Sequence, residues 1–102
     1  MLRRHGFPTP VVQFEIRDPD GRVVARPDLA YPDLKIAIEY DSYEHHVGKA
    51  ALVRAGNRRN LVVALGWLPI TATAEDLRIG GQALANALQR ARELRSGVKV
   101  GG

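Results

Sequence analysis

The strictly alternating stretch from Leu34 to Asp41 constrains the fold most, because a period of two is typical of a strand. The apolar run before it, Val23–Tyr31, is separated from it only by a Tyr31-Pro32-Asp33 turn, which is too short for a crossover helix. The two runs are therefore predicted to pair as antiparallel neighbours. The strand would have an apolar face, formed by Leu34, Ile36, Ile38 and Tyr40. Its other face would be charged and would carry Lys35, Ala37, Glu39 and Asp41.

Three carboxylates fall on this predicted pair of strands. Glu39 and Asp41 are two residues apart, so they share a face, with their Cα atoms roughly 6.5 Å from each other. In an antiparallel register, Asp28 can lie beside either of them. Clustered acids repel one another unless a cation or a shared proton relieves the repulsion. We therefore interpret the three acids as a candidate active site rather than as exposed carboxylates that merely end strands.

The segment before these strands also predicts β-structure. Residues 11–17 have the pattern of a strand, and Asp18-Pro19-Asp20-Gly21 is a strong turn signal leading into residues 22–25. Together with the strand from Leu34, this hairpin would form a three-stranded antiparallel meander.

The second half of the chain is predominantly helical. A helix is predicted from about Gly48 to Leu65, and a short strand over residues 67–72 would return to the sheet by a crossover. Thr73 begins a capping-box pattern and a further helix, which Gly80-Gly81 interrupts. The predicted fold class is α/β, with a mixed β-sheet (the meander plus the crossover strand) flanked by helices.

Length and composition fit one globular domain over residues 1–102, with residues 96–102 as a tail. The chain has no cysteine, which excludes disulfides and thiolate zinc sites. It has no apolar run long enough to span a bilayer and no standard signal peptide, so we expect a cytoplasmic protein without a membrane partner. Residues 2–6 have the pattern of the last turn of a helix, so we expect a longer polypeptide with an upstream domain. An oligomer is compatible with the sequence.

The charge distribution favours a polyanionic partner. The formal net charge is +4, and bases stand on both sides of an acid-rich central stretch. An acidic pocket within a basic frame suits a metal-assisted enzyme that acts on phosphodiesters. Arg54, Arg58 and Arg59 follow the acids on the predicted helix. They would form either a phosphate-contacting face or an ordinary solvated one.

The order and spacing of several motifs resemble a known nuclease family. These motifs are Arg26-Pro27-Asp28-Leu29-Ala30-Tyr31, the segment from Ile38-Glu39-Tyr40-Asp41 to His45, Arg58 with Leu61, and Ala64-Leu65-Gly66-Trp67. Over about residues 8–77 the chain resembles the very-short-patch-repair-like branch of the PD-(D/E)XK nuclease superfamily. The resemblance implies a restriction-endonuclease-like core, DNA as substrate, and Mg²⁺ (or Mn²⁺) as cofactor.

The resemblance also implies a role for each site residue. Asp28 would be the central metal-binding aspartate and Glu39 the second metal-binding acid. Asp41 would stand where the superfamily usually has a lysine, and His45 would be the histidine of the family signature. Either His45 or Asp41 could accept or orient the proton of an attacking water.

Some positions depart from the family pattern. Ser42 replaces a usual glycine, Ala55 and Arg59 replace usual acids, and Thr71 replaces a usual arginine. Only the end of the family's first core helix is present. We therefore carry three hypotheses. The first is a metal-dependent DNA endonuclease, and the second is a catalytically impaired nuclease fold that binds nucleic acid or protein. The third is a structural domain with an incidental acid cluster.

Overall fold

The computed structural model describes residues 2–41 and 48–96 and contains six strands and three α-helices in that part. A 3₁₀ helix, Leu2–His5, stands where the sequence predicts a last helical turn. The strands are β1 (Val11–Val12), β2 (Ile16–Arg17), β3 (Val23–Ala25), β4 (Leu29–Tyr31), β5 (Ile36–Asp41) and β6 (Leu68–Thr73). The helices are α1 (Lys49–Ala64), α2 (Ala74–Arg78) and α3 (Gln82–Ser96).

Four strands form a mixed sheet in the order β1-β4-β5-β6, and β2 and β3 form a separate hairpin. Strands β4 and β5 are antiparallel, with Leu29 opposite Ile38, whereas β5 and β6 are parallel and are joined through α1. The predicted α/β class, with a mixed sheet flanked by helices, is confirmed. Pro69 lies on β6, the last strand of the sheet, where among the described residues it has no neighbour on one side to which an amide hydrogen would be donated.

The predicted three-stranded meander is wrong in one respect. Each of the first two predicted strands is broken, and its halves join different sheets. Gln13 has a φ of 53°, a left-handed conformation that interrupts the strand over residues 11–17. Pro27 lacks an amide hydrogen and lies between β3 and β4. As a result, β1 pairs with β4 in the main sheet, whereas β2 and β3 form a hairpin outside it. The predicted antiparallel pairing of β4 with β5 is confirmed.

Strand β5 is buried on both faces over most of its length. It begins at Ile36 rather than Leu34, because Lys35 adopts a φ of 54° in the preceding turn. Ile36 and Ile38 pack in the core under α3, and Ala37 packs on the α1 side with Val62 and Trp67. The predicted charged face is therefore wrong at Ala37, and Glu39 stands where the α1-side core ends.

Helix α1 covers the sheet incompletely. Within α1 only Val62 is fully buried, whereas Leu52, Val53, Leu61 and Val63 are each more than half exposed. Its sheet-facing positions Ala51 and Ala55 carry small side chains and are only partly buried. The first half of α1 therefore leaves space between itself and the sheet.

The junction of α2 and α3 is fixed by capping. Thr73 Oγ1 accepts a hydrogen bond from the Asp76 amide at 3.1 Å, as the capping pattern predicts. The buried Asp76 carboxylate accepts hydrogen bonds from the Ala83 and Leu84 amides, each at 2.9 Å, at the start of α3. No helix in the described ranges is long and apolar enough to cross a membrane.

Candidate active site

Asp28 and Glu39 meet at the end of the β4–β5 pair. Leu29 is opposite Ile38, so continuation of that register by one residue brings Asp28 opposite Glu39. The Tyr40 amide donates a hydrogen bond to Asp28 Oδ2 at 2.8 Å. This bond holds the Asp28 carboxylate against β5 just after the break at Pro27, where the backbone pairing has ended.

The two carboxylates line an open cleft of about 460 Å³ between the sheet and α1. Ala51 and Ala55 are one turn apart on α1 and leave room for this space. The cleft therefore has an acidic wall on the sheet and a basic wall on the helix. Its lining residues are Arg26, Asp28, Glu39, Tyr40, Ala51, Arg54, Ala55 and Arg58.

A second cavity of about 340 Å³ continues the cleft beneath α1. Both spaces are bordered by Glu39, Tyr40, Ala55 and Arg58. The second cavity has a more apolar floor, to which Ile16, Ala37 and Val62 contribute. Glu39 thus stands at the junction of a polar, open space and a more apolar one.

The arginines of α1 have no protein counter-charge in the described part of the chain. Among the described side chains, those of residues 2–40 and 48–95, no carboxylate lies within 4.0 Å of the guanidinium groups of Arg54, Arg58 or Arg59. All three residues are exposed. Their positive charge is therefore available to an anion that enters the cleft.

Arg26, at the rim of the cleft, differs from the arginines of α1 because it is paired with a carboxylate. Its guanidinium forms an ion pair with Glu15 at 3.0 Å, and Glu15 is also paired with Arg17. These two arginines lower the pKa of Glu15 below its ordinary value. The largest causes are the hydrogen bond from Arg17 and the positive charge of Arg17, followed by the hydrogen bond from Arg26. Glu15 therefore stays ionised and holds Arg26 at the rim.

The structure brings together four of the seven residues that the sequence predicted for the site. Asp28, Glu39, Arg54 and Arg58 line the cleft, and Arg59 lines the adjoining cavity. The backbone of Asp41 pairs with Thr73 of β6. The side chain of Asp41, together with His45, lies outside the described residues, so the three-acid cluster and the histidine stay predictions. Among the described residues, no group of three or more His, Asp or Glu side chains is placed to hold a metal ion.

The sequence analysis missed Tyr40 as a site residue. The alternation assigned it to the apolar face of the strand, yet it is 44% exposed and borders the cleft. The available signal was its position directly between Glu39 and Asp41, near the end of the strand, where the core can no longer cover the ring.

Comparison with known proteins gives two relatives from Mycobacterium tuberculosis, the uncharacterized proteins MT2308 and Rv2248. Each is 36% identical to this chain over 74 residues, which is 72% of the chain. The chain spans about a quarter (27%) of the length of these relatives. No protein-family profile and no solved structure matches the chain.

Proposed function

We propose that this chain is a metal-dependent DNA endonuclease domain with a restriction-endonuclease-like core, which hydrolyses phosphodiester bonds in the cleft between β5 and α1. The observation that carries the proposal is the meeting of Asp28 and Glu39 on one wall of a cleft whose other wall carries Arg54 and Arg58. Carboxylates suit a cation, and unpaired guanidinium groups suit the phosphates of its substrate.

The topology supports the core assignment. An antiparallel β4–β5 pair carries the two acids, α1 then crosses over, and β6 returns parallel to β5. The resulting mixed sheet flanked by helices agrees with the core that the family resemblance implies.

The donor set fits Mg²⁺ or Mn²⁺. Both ions prefer oxygen ligands, and Mg²⁺ is commonly held by one or two carboxylates together with waters and a substrate phosphate. Asp28 Oδ2 accepts a hydrogen bond from the Tyr40 amide. This bond orients the carboxylate and leaves Oδ1 free to ligate a cation. When bound, such an ion would supply Lewis-acid polarisation of the phosphate and a lower pKa for a bound water.

The protein side chains would perform the remaining tasks. Arg54 and Arg58 would hold the phosphate backbone against the acidic wall, which orients the scissile bond. Glu39, which borders both spaces, would supply the second carboxylate for the cation. His45 and Asp41 keep their predicted role as acceptors or orienting groups for the proton of the attacking water.

Nicking of supercoiled plasmid by the full chain, with Mg²⁺ or Mn²⁺ and with chelator, tests the proposal. We expect nicking that requires metal and stops on chelation. If DNA is bound but not cleaved under any metal condition, the catalytically impaired binding module replaces the endonuclease. If DNA is neither bound nor cleaved, the acid cluster is incidental and the proposal fails.

A further inference from the structure

A third open space, of about 510 Å³, lies on the other side of the end of β5. It is lined by Arg4, Tyr40, Leu77, Arg78 and Gly80. Because successive strand residues point to opposite faces, the ring of Tyr40 lies on the face opposite to Glu39. Tyr40 therefore connects the acidic cleft on the α1 side with this space on the α2 side.

The position of Arg4 is set by its neighbour in the 3₁₀ helix. His5 Nε2 lies 3.1 Å from the carbonyl oxygen of Gly80 and donates a hydrogen bond to it. This bond ties the 3₁₀ helix to the end of α2 and holds Arg4 beside Tyr40. The long, flexible arginine side chain can then reach an anion in the space without movement of the backbone.

The two arginines of this space are not equivalent. Arg78 is paired with Glu75 within α2, so part of its charge is already compensated. Arg4 is exposed and has no carboxylate within 4.0 Å in the ranges that the structure covers. An anion in this space would therefore be held mainly by Arg4.

We propose that Tyr40 and Arg4 form a nucleotide subsite that flanks the acidic cleft, in which the Tyr40 ring stacks on an unpaired base and Arg4 contacts the adjacent phosphate. The subsite makes single-stranded or locally unpaired DNA the preferred substrate of the cleft. This inference rests on the proposed function, because it takes the ligand of the cleft to be DNA.

Two physical arguments favour an unpaired strand over continuous duplex. The acidic cleft and the Tyr40 ring lie on opposite faces of the sheet, so a DNA strand that contacts both must change direction sharply, whereas duplex DNA is stiff, with a persistence length of about 150 base pairs. In addition, a base within a duplex is already stacked on its neighbours, so its face is not open to a tyrosine ring. An unpaired base has a free face, and stacking on an aromatic side chain tolerates any sequence.

The exposure of Tyr40 argues against a purely structural role for its ring. The ring is not part of either core cluster, and the hydrogen bond to Asp28 comes from the Tyr40 backbone amide rather than from the side chain. Substitution of the side chain therefore leaves the Asp28 contact in place. Tyr40→Leu keeps apolar bulk but removes the aromatic ring, and Tyr40→Phe keeps the ring.

Fluorescence anisotropy with the full chain in metal-free buffer tests the subsite. The probes are a labelled single strand of about 12 nucleotides, a size in the range of common single-strand sites, and the blunt duplex of the same sequence. We expect wild type to bind the single strand more tightly. Tyr40→Leu should weaken that binding about fivefold to a hundredfold and leave duplex affinity nearly unchanged, whereas Tyr40→Phe should retain wild-type affinity.

Arg4→Ala should lower the slope of log affinity against log salt for the single strand by about 0.7, the value for one phosphate contact. Arg90→Ala, on the exposed face of α3, is the matched control and should leave the slope unchanged. A preference of wild type for duplex, or equal single-strand affinity of wild type and Tyr40→Leu, overturns the subsite while the proposed nuclease function stands. Absence of binding to either probe by wild type overturns both.

Discussion

At the residue scale, the pairing of Asp28 with the Tyr40 amide explains how an exposed acid gains a fixed position. A side chain at a strand end usually samples several rotamers, but this carboxylate is anchored through Oδ2 at 2.8 Å. Pro27 contributes indirectly, because it ends the strand pairing and lets the next side chain reach the backbone of β5. A ligand oxygen held in advance loses less entropy when it binds a cation.

We predict that millimolar Mg²⁺ or Mn²⁺ raises the melting temperature of the chain, because a ligand that binds only the folded state stabilises it. Asp28→Asn should abolish the shift, since the amide keeps the shape but removes the charge. Asp33→Asn, an exposed acid in the turn before β5, should leave the shift intact. A melting temperature that is the same with metal and with chelator would count against Asp28 as a ligand.

Arg58 is the arginine that borders both spaces of the candidate active site. If it contacts a DNA phosphate, Arg58→Ala should lower the slope of log affinity against log salt by about 0.9 for duplex DNA. Anisotropy titrations over a salt series measure this slope, with Arg90→Ala as the surface control. Wild-type affinity and slope in Arg58→Ala would show that the arginine is ordinary solvated surface.

At the element scale, the sequence predicted element types better than strand boundaries. The period-two pattern gave β5, and the turn at residues 18–21 gave the β2–β3 hairpin, because both signals are local. The breaks at Gln13 and Pro27 depend on which sheet each half-strand can join, and that is decided by packing across the whole chain. The burial of Ala37 also depends on packing across the chain. The alternation placed this residue on a charged face, but α1 covers it in the folded structure.

The candidate site, like the fold, was predicted from the sequence only in part. The short turn forces antiparallel pairing, so the sequence placed Asp28 beside either Glu39 or Asp41, and the register of the folded strands brings it opposite Glu39. Tyr40 was missed because a strand pattern does not show where core packing ends. The width of the cleft depends on how closely α1 approaches the sheet, which its small side chains at Ala51 and Ala55 determine only in the folded structure.

The link between α2 and α3 yields a prediction that concerns stability alone. Asp76→Asn keeps the side-chain volume but puts an amide NH₂ group opposite a backbone N–H, so one of the two bonds to Ala83 and Leu84 is lost. We expect a loss of about 1–3 kcal/mol in the free energy of unfolding. Urea denaturation measures it, with Asp33→Asn as an exposed control. An unchanged midpoint would show that Asp76 does not hold α3 in place.

At the scale of the whole molecule, the fold keeps its larger core away from the candidate active site. The core under α3 contains Leu84 and Leu88 and covers one face of β5, whereas the smaller core around Trp67 covers the other face only up to Ala37. The sheet therefore has a firmly packed side and a partly open side. The acidic wall lies at the open side, beneath a helix with three arginines that pair with no carboxylate among the described side chains.

The central claim is that Glu39, within this cleft, is required for metal-dependent cleavage of DNA. The most direct test is the rate of plasmid nicking by wild type, Glu39→Gln and Asp33→Asn, purified in parallel and assayed with Mn²⁺. Glutamine preserves size and hydrogen bonding but removes the charge that would hold the cation. We predict nicking by wild type and Asp33→Asn, and none by Glu39→Gln although it still binds DNA. Equal nicking by wild type and Glu39→Gln would contradict the account.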